Sequence, residues 1–298
     1  MKITCLHCGK QIDFDSNFCR YCGKKVTLET PENGLLDKSL NDIFNAVYTS
    51  LVSHSDYLKD EFDKEFDTYK HYEKRVLTDE QYYRLLVEII FYSGFRASTV
   101  NKHLNRIHLH FPSIETVCEY SQLDTNIICE DTLMIKNKRK IEACVSNAKR
   151  MKSLINKYGS FVGFVSSFGD MADDDSLFTF KEALEKNFGF LGGQTAYHFM
   201  MDIGLNVLKP DRVILRVFSR LNLISDENDL KGAVRVGRAF SSATGFPIRY
   251  IDVIFVLYGQ MNQENIISIC TEKNPKCNIC KASRFCQYSE KSRRNHKQ

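Results

Sequence analysis

The chain has 298 residues, 43% of them hydrophobic and 26% charged, with a formal net charge of +4, ordinary figures for a folded protein with a substantial buried core. No window is apolar enough for a membrane span, and the start, MKITCLHCGK, has no apolar leader, so membrane and secreted classes are set aside and a cytoplasmic location is expected. The mild positive charge permits a polyanionic partner without requiring one.

Cys5, Cys8, Cys19 and Cys22 form C-x2-C-x10-C-x2-C, each pair followed directly by Gly. A tetrahedral thiolate site needs two tight turns that each offer two sulfurs, and the glycine frees backbone N–H groups to bond them. The spacing predicts a structural zinc ribbon over residues 1–26, a unit with too little core to fold without its metal. A disulfide pair fits poorly with a reducing compartment. Residues 27–75 follow as linker and accessory helices: VTLETPENG is polar with Pro and Gly, and from about Leu36 to Lys74 the pattern is helical and rich in both charge signs, which reads as a solvated helical pair without chemistry.

The main body is expected over residues 76–268. LTDEQYYRLLVEIIFYSG opens with a capping box, Thr78 with Gln81, and continues as a strongly apolar helix that stops at Gly94. Further helices are expected around Ser113 to Tyr120, Asn137 to Tyr158 and Phe178 to Asn187, with the acidic DMADDDS between the last two as a loop. Cys118, Cys129 and Cys144 stand singly in apolar helical stretches and read as core. With five prolines and almost no strand pattern outside the ribbon, the body is all-α.

Two stretches in this body point to chemistry. In FGFLGGQTAYHF a short helix enters the turn Leu191-Gly192-Gly193 and a second helix begins at Gln194 or Thr195. Small residues let such a turn bring backbone N–H groups close to an anion, and the helix N-terminus adds its dipole, although an ordinary helix connection uses the same residues. In KPDRVILRVFSRL, Asp211 follows Pro210 and precedes an apolar helix. Asp there is a good N-cap whether or not it does more. Near the end, CTEKNPKCNICKASRFC sets Cys270, Cys277, Cys280 and Cys286 at spacings x6, x2 and x5. This is neither the paired-knuckle zinc pattern nor a ferredoxin spacing.

The four-cysteine segment, the glycine hairpin, the Asp211 segment and LYGQ before Cys270 occur in the order found in the helix-hairpin-helix DNA glycosylase superfamily, which the chain resembles over roughly Leu77 to Lys291. IIFYSGFRASTVNKHL and the cysteine tail look like endonuclease III. MIKNKRKIEACVSNAKR and FGFLGGQTAYHFMMDIGL look more like 3-methyladenine DNA glycosylase I, though the positions of that enzyme's pocket Glu and stacking Trp are Ile89 and Ala97 here, and the chain has no Trp.

The resemblance implies an all-α helix-hairpin-helix fold and a [4Fe-4S] cluster on Cys270, Cys277, Cys280 and Cys286 in a loop and basic tail over residues 269–298. A second zinc remains an alternative, since four thiolates suit both. The implied partner is double-stranded DNA with a damaged or modified base, in base excision repair, which in a bacterium adds nucleoid association. The implied reaction flips that nucleotide out and hydrolyses its N-glycosidic bond. Asp211 is the implied catalytic carboxylate. Gln194 stands where the family's lyases carry a lysine, so the reaction is expected to be monofunctional: an amide cannot form a Schiff base.

Leu191, Gly192, Gly193 and Thr195 are the implied backbone-binding turn, Phe95 and Arg96 match the wedge loop that fills the gap left by a flipped base, and Lys273 and Lys276 are expected to face phosphates from the cysteine loop. Glu88, Tyr82, Tyr83, Tyr92, Tyr197 and His198 are pocket candidates. The ribbon is expected to contact DNA or a protein partner. A bifunctional lyase using another amine, a non-catalytic lesion binder and a redox protein stay open at this point.

Overall fold

The computed structural model describes residues 2–4, 10–13, 19–23, 33–71, 77–260 and 265–289. At the N-terminus β1 (Lys2–Thr4) pairs antiparallel with β2 (Gln11–Asp13), Ile3 opposite Ile12. Cys5 and Cys8 lie outside the described residues. Cys19 is buried and Cys22 half-buried in a turn closed by the Gly23 amide donating to the Cys19 carbonyl at 2.8 Å.

The helices divide into two lobes with separate cores. The first lobe is contiguous in sequence: α3 (Asp79–Tyr92), α4 (Ala97–His110), α5 (Ile114–Cys118), α6 (Gln122–Glu130), α7 (Lys138–Tyr158), α8 (Phe161–Ser166), α9 (Asp174–Asn187) and α10 (Gln194–Asp202). Its start is the predicted capping box. The Gln81 amide donates to the Thr78 hydroxyl at 3.3 Å and the Thr78 amide to the Gln81 side chain at 2.8 Å, so two orphan donors of the helix end are satisfied. From there Leu86, Ile90 and Phe91 point into a core shared with Ile141, Ala148, Phe161, Phe180 and Phe199.

The second lobe draws on both ends of that stretch. α1 (Asn33–Val52) and α2 (Lys59–Glu65) come from before it, and α11 (Arg212–Arg220), α12 (Leu230–Thr244) and α13 (Ile248–Gly259) from after it. Phe44, Phe218, Phe240 and Phe255 are all at most 1% exposed and pack ring to ring, Phe218 on Phe255 at 5.0 Å and edge-on. The predicted solvated helical pair is thereby corrected. α1 carries Leu40, Ile43, Phe44, Val47 and Leu51 on one buried stripe against α12 and α13, while Asp42 is exposed.

Two smaller expectations also change. The acidic DMADDDS is a helix start as well as a loop: the Asp173 side chain caps α9 by accepting from the Ser176 amide at 2.9 Å, and Asp174 and Asp175 lie in the first turn, where acids favour the helix dipole. The helix expected from Ser113 to Tyr120 is shorter, with Ser113 as its cap. Of the three single cysteines, Cys144 is fully buried, while Cys118 and Cys129 pack half-buried against the first core. Among the described residues no single helix is long and apolar enough to cross a membrane.

Candidate active site and cysteine cavity

Asp211 stands at the N-terminus of α11, where the chain passes from the first lobe to the second. Its Oδ1 accepts from the Val213 amide at 2.9 Å and the Ile214 amide at 3.1 Å. Oδ2 takes no hydrogen bond from the described residues and the side chain is half-exposed. One oxygen therefore fixes the carboxylate and the other is available. The approach to Asp211 is held from behind by the buried Asp252 of α13, whose Oδ1 accepts from the Lys209 amide at 3.3 Å and whose Oδ2 accepts from Arg249 at 3.1 Å. Burial pushes the Asp252 carboxyl up to about 7, against the pull of Arg249 and with a push from the negative Asp211.

The hairpin forms as expected. Gly193, at φ +55°, precedes α10, and nothing lies within 4 Å of where a Cβ on Gly192 or Gly193 would stand, so this turn is open. Leu191 anchors it at 1% exposure, and Gln194 and Thr195 are half-exposed on the first turn. One amide is already engaged: Gly193 N–H donates at 2.6 Å to Glu185 Oε1, itself 2.7 Å from the Lys181 ammonium. The anion at this turn is the protein's own carboxylate.

The opposite end of α11 reaches the cysteine loop about 14 Å from Asp211, at 1.5 Å per residue. There Arg220 donates to the Thr271 carbonyl at 2.8 Å and the Glu272 carbonyl at 3.2 Å, lies 3.5 Å from Cys270 Sγ, and covers the Tyr288 ring at 4.3 Å. Gln287 donates to the Ser219 carbonyl at 2.8 Å. Tyr258 of α13 places its hydroxyl 2.8 Å from Cys280 Sγ, and its carbonyl accepts from the Cys270 amide at 2.8 Å. α11 and α13 lie close because Gly259 leaves room: a Cβ there would stand 2.6 Å from Val213 and 2.9 Å from Val217. From the first helix, the buried Ser50 hydroxyl accepts from the Lys281 amide at 2.9 Å.

Cys270, Cys277, Cys280 and Cys286 all border one small cavity of about 20 Å³, together with Tyr258, Ile269 and Pro275. Among the described residues no three cysteine, histidine or acidic side chains are arranged to hold a single metal ion. One zinc would draw its sulfurs to within roughly 3.8 Å of each other, from its ~2.3 Å bonds.

The methyladenine glycosylase family model matches residues 62–209. The chain is similar in structure to a trapped endonuclease III–DNA covalent intermediate, with a TM-score of 0.50 and 17% identity over 78% of this chain and 94% of that one. Lesser likeness is found to 3-methyladenine DNA glycosylase I from Staphylococcus aureus (TM-score 0.41, 21% identity, 49% of this chain and 87% of that one) and to a thermostable thymine-DNA glycosylase (0.47, 19%, 77% and 95%). A search of the curated proteins finds no match. The family model covers just under half of the chain, and the likeness to endonuclease III shows the helix-hairpin-helix glycosylase fold.

The sequence-predicted residues separate into those held at an open surface and those used up in packing. Phe95, 37% exposed, and the exposed Arg96 form the turn between α3 and α4. Tyr82, Tyr83 and Tyr197 are core, Tyr83 donating to the Cys144 carbonyl at 3.2 Å. Tyr92 donates to Asn101 at 2.6 Å, Glu88 pairs with His108 at 2.8 Å, and His198 with Asp202 at 3.2 Å, all half-buried. Ile89 is buried at 1%, and Ala97 is exposed at the start of α4.

Lys273 is exposed. The Lys276 ammonium instead donates to the Ser268 carbonyl at 2.8 Å and braces the loop. Residues that sequence reasoning missed are Glu185, Asp252, Lys140 and Asn147. Asp252, Lys140 and Asn147 act through partners more than forty residues away, and Glu185 through the Gly193 amide across the hairpin turn, which no local motif signals.

Proposed function

We propose that this protein is a DNA glycosylase of base excision repair, monofunctional and hydrolytic, acting on a damaged or modified base in double-stranded DNA, with Asp211 as its catalytic carboxylate. The observation that carries this reading is the division of labour at Asp211: Oδ1 held by two helix amides, Oδ2 without a hydrogen-bond partner among the described residues. As the glycosidic bond breaks, positive charge grows on the sugar, and a fixed carboxylate about 4 Å away at an effective dielectric near 20 stabilises it by ~4 kcal/mol, about three powers of ten in rate. The same oxygen is able to orient the attacking water. Gln194, at the first position of α10, has no amine with which to attack the sugar. The apolar Ile89 at the pocket-Glu position argues against simple transfer of 3-methyladenine preference.

Cys270, Cys277, Cys280 and Cys286 would hold a [4Fe-4S] cluster, a reading supported by their spacing and by their lining one cavity. When bound, that group supplies a rigid covalent cross-link to the loop. The chain's own part is then mechanical: Arg220 and Gln287 tie the loop to the end of α11, whose other end carries Asp211. Cys5, Cys8, Cys19 and Cys22 would hold zinc in a ribbon that contacts DNA or a protein partner.

The test is base release under single-turnover conditions from duplexes carrying uracil, oxidised, alkylated and bulky bases. Asp211→Asn keeps the cap but loses the charge, so DNA affinity and folding survive while release falls by roughly two to four powers of ten. Full activity in Asp211→Asn removes the carboxylate from the mechanism. Strand breaks without added alkali would favour a lyase instead.

A further inference from the structure

Phe190 is the residue whose backbone fits its side chain least well. It has φ +65°, a left-handed conformation that bulky residues rarely adopt, and it lies directly before the hairpin turn. Its ring is 37% exposed, the same as that of Phe95 in the turn after α3. The two rings come from segments almost a hundred residues apart and meet over one cation: Lys140 Nζ stands 5.0 Å from the Phe190 centroid and 5.4 Å from that of Phe95. Lys140 itself is 3% exposed. Its ammonium donates to the Ile90 carbonyl and, at 2.6 Å, to the Ser93 carbonyl, satisfying the last turn of α3.

The strained turn is gripped as well. Asn147, 2% exposed and two turns along α7 from Lys140, accepts from the Gly189 amide at 2.8 Å and donates to the Gly189 carbonyl at 3.0 Å. One face of α7 therefore fixes both the backbone before Phe190 and the cation under its ring. A conformation costing on the order of 1–3 kcal/mol persists only where its surroundings over-determine it, and such outliers gather at functional positions. A core role does not explain it, because the ring is exposed.

We propose that Phe190 and Phe95 form one two-ring stacking clamp for DNA at a site where a base has left the helix, with Lys140 as its fixed pin. Two aromatic faces beside the open Gly192-Gly193 turn meet the unpaired bases exposed when a nucleotide is flipped, while the buried ammonium below them adds positive potential toward the phosphates. Phe190 and Lys140 thereby join the DNA surface beside the wedge turn. The inference rests on DNA as the partner and not on the role of Asp211, so it is tested by binding alone.

The probe is a duplex with one tetrahydrofuran abasic residue and 2-aminopurine opposite it, compared with the same duplex intact. The native protein is expected to prefer the abasic duplex and to change the 2-aminopurine fluorescence. Phe190→Ala and Phe95→Ala should each reduce that preference about tenfold, and the double variant little further, because the rings act together. Binding to intact duplex should hold.

Phe190→Gly separates function from folding. Glycine relaxes the backbone at φ +65°, so it should lose the preference while melting at the same or a higher temperature. Lys140→Gln keeps a donor for the two carbonyls and removes the cation, and should lower affinity for the abasic duplex more than affinity for the intact one, where only its potential toward the phosphates is lost. The proposal is overturned if the native protein shows no abasic preference or if Phe190→Ala retains it in full. It is equally overturned if Phe190→Gly lowers melting temperature and intact-duplex binding together, which would make the ring a structural contact.

Discussion

The two lobes solve different problems. The first is built from one unbroken run of helices, carries the open turns at Phe95 and Gly192-Gly193 proposed to meet DNA, and coincides with most of the region matched by the methyladenine glycosylase family, which ends at residue 209. The second is assembled from both sides of that run, and it owns Asp211 and all four cysteines of the loop. Gripping DNA needs exposed turns on a stiff local frame. Holding one charge at a fixed place needs a helix secured at both ends, and α11 has a side-chain cap at one and Arg220 on the loop at the other. The lobes are joined by ion pairs, Asp174 of α9 to Arg235 at 2.7 Å and to Arg238 at 2.5 Å of α12, and by Asp252 under Lys209.

The strongest way to break the comparison is to remove the loop's cross-link. Cys277→Ser should abolish iron content and the yellow-brown colour of the purified protein and expose α11, α12 and α13 to amide exchange by several powers of ten, while α3 to α10 keep much of their protection. Cys144→Ser, in the first core, should leave iron alone. Equal loss of protection in both lobes would show that they are one cooperative unit. A colourless native protein containing zinc and no iron would replace the cluster by zinc.

A smaller effect is expected at Asp252. Its folded pKa is raised to about 7 against an unfolded value near 3.9. The folded state therefore binds more protons than the unfolded one between those limits. The stability this carboxyl contributes is fully present below about pH 4 and is lost as pH rises through 7. Three units correspond to at most ~4 kcal/mol. Asp252→Asn cannot ionise, so relative to the native protein it should gain stability between pH 4 and pH 8, read from urea midpoints. A constant difference across that range would mean that Asp252 does not titrate there.

What was legible in the sequence was local. The Thr78–Gln81 box, the Asp211 cap and the turn before Gln194 are each set by a few adjacent residues whose backbone needs are chemical, and they fold as expected. The four loop cysteines border one cavity because their spacing fits a loop that returns on itself. α1 was misread because its charges were counted over the whole stretch, whereas the stripe from Leu40 to Leu51 decides its burial. The pairs Asn147–Gly189, Lys140–Phe190 and Asp252–Lys209 are long-range. Each partner alone looks like an ordinary surface or turn residue, and only packing brings it to the site.

The smallest expected effects sharpen how each lobe meets phosphate. Lys273 is exposed on the cysteine loop, whereas Lys276 is spent on the Ser268 carbonyl. If the loop touches DNA, Lys273→Ala should reduce the slope of log affinity against log salt by about 0.9, the value for one released counterion. Lys276→Ala should leave the slope nearly unchanged and lower the melting temperature, because it removes a brace. Glu185 tests the other lobe with the opposite sign. Its carboxylate occupies the Gly193 amide, so a phosphate approaching that turn must displace it or meet its charge. Glu185→Gln keeps an acceptor for the amide and removes the repulsion, and should strengthen binding to an abasic duplex by a few-fold at low salt, fading at high salt. Weaker binding in Glu185→Gln would mean that the carboxylate organises the hairpin for DNA, and that the turn meets phosphate only in the form Glu185 holds.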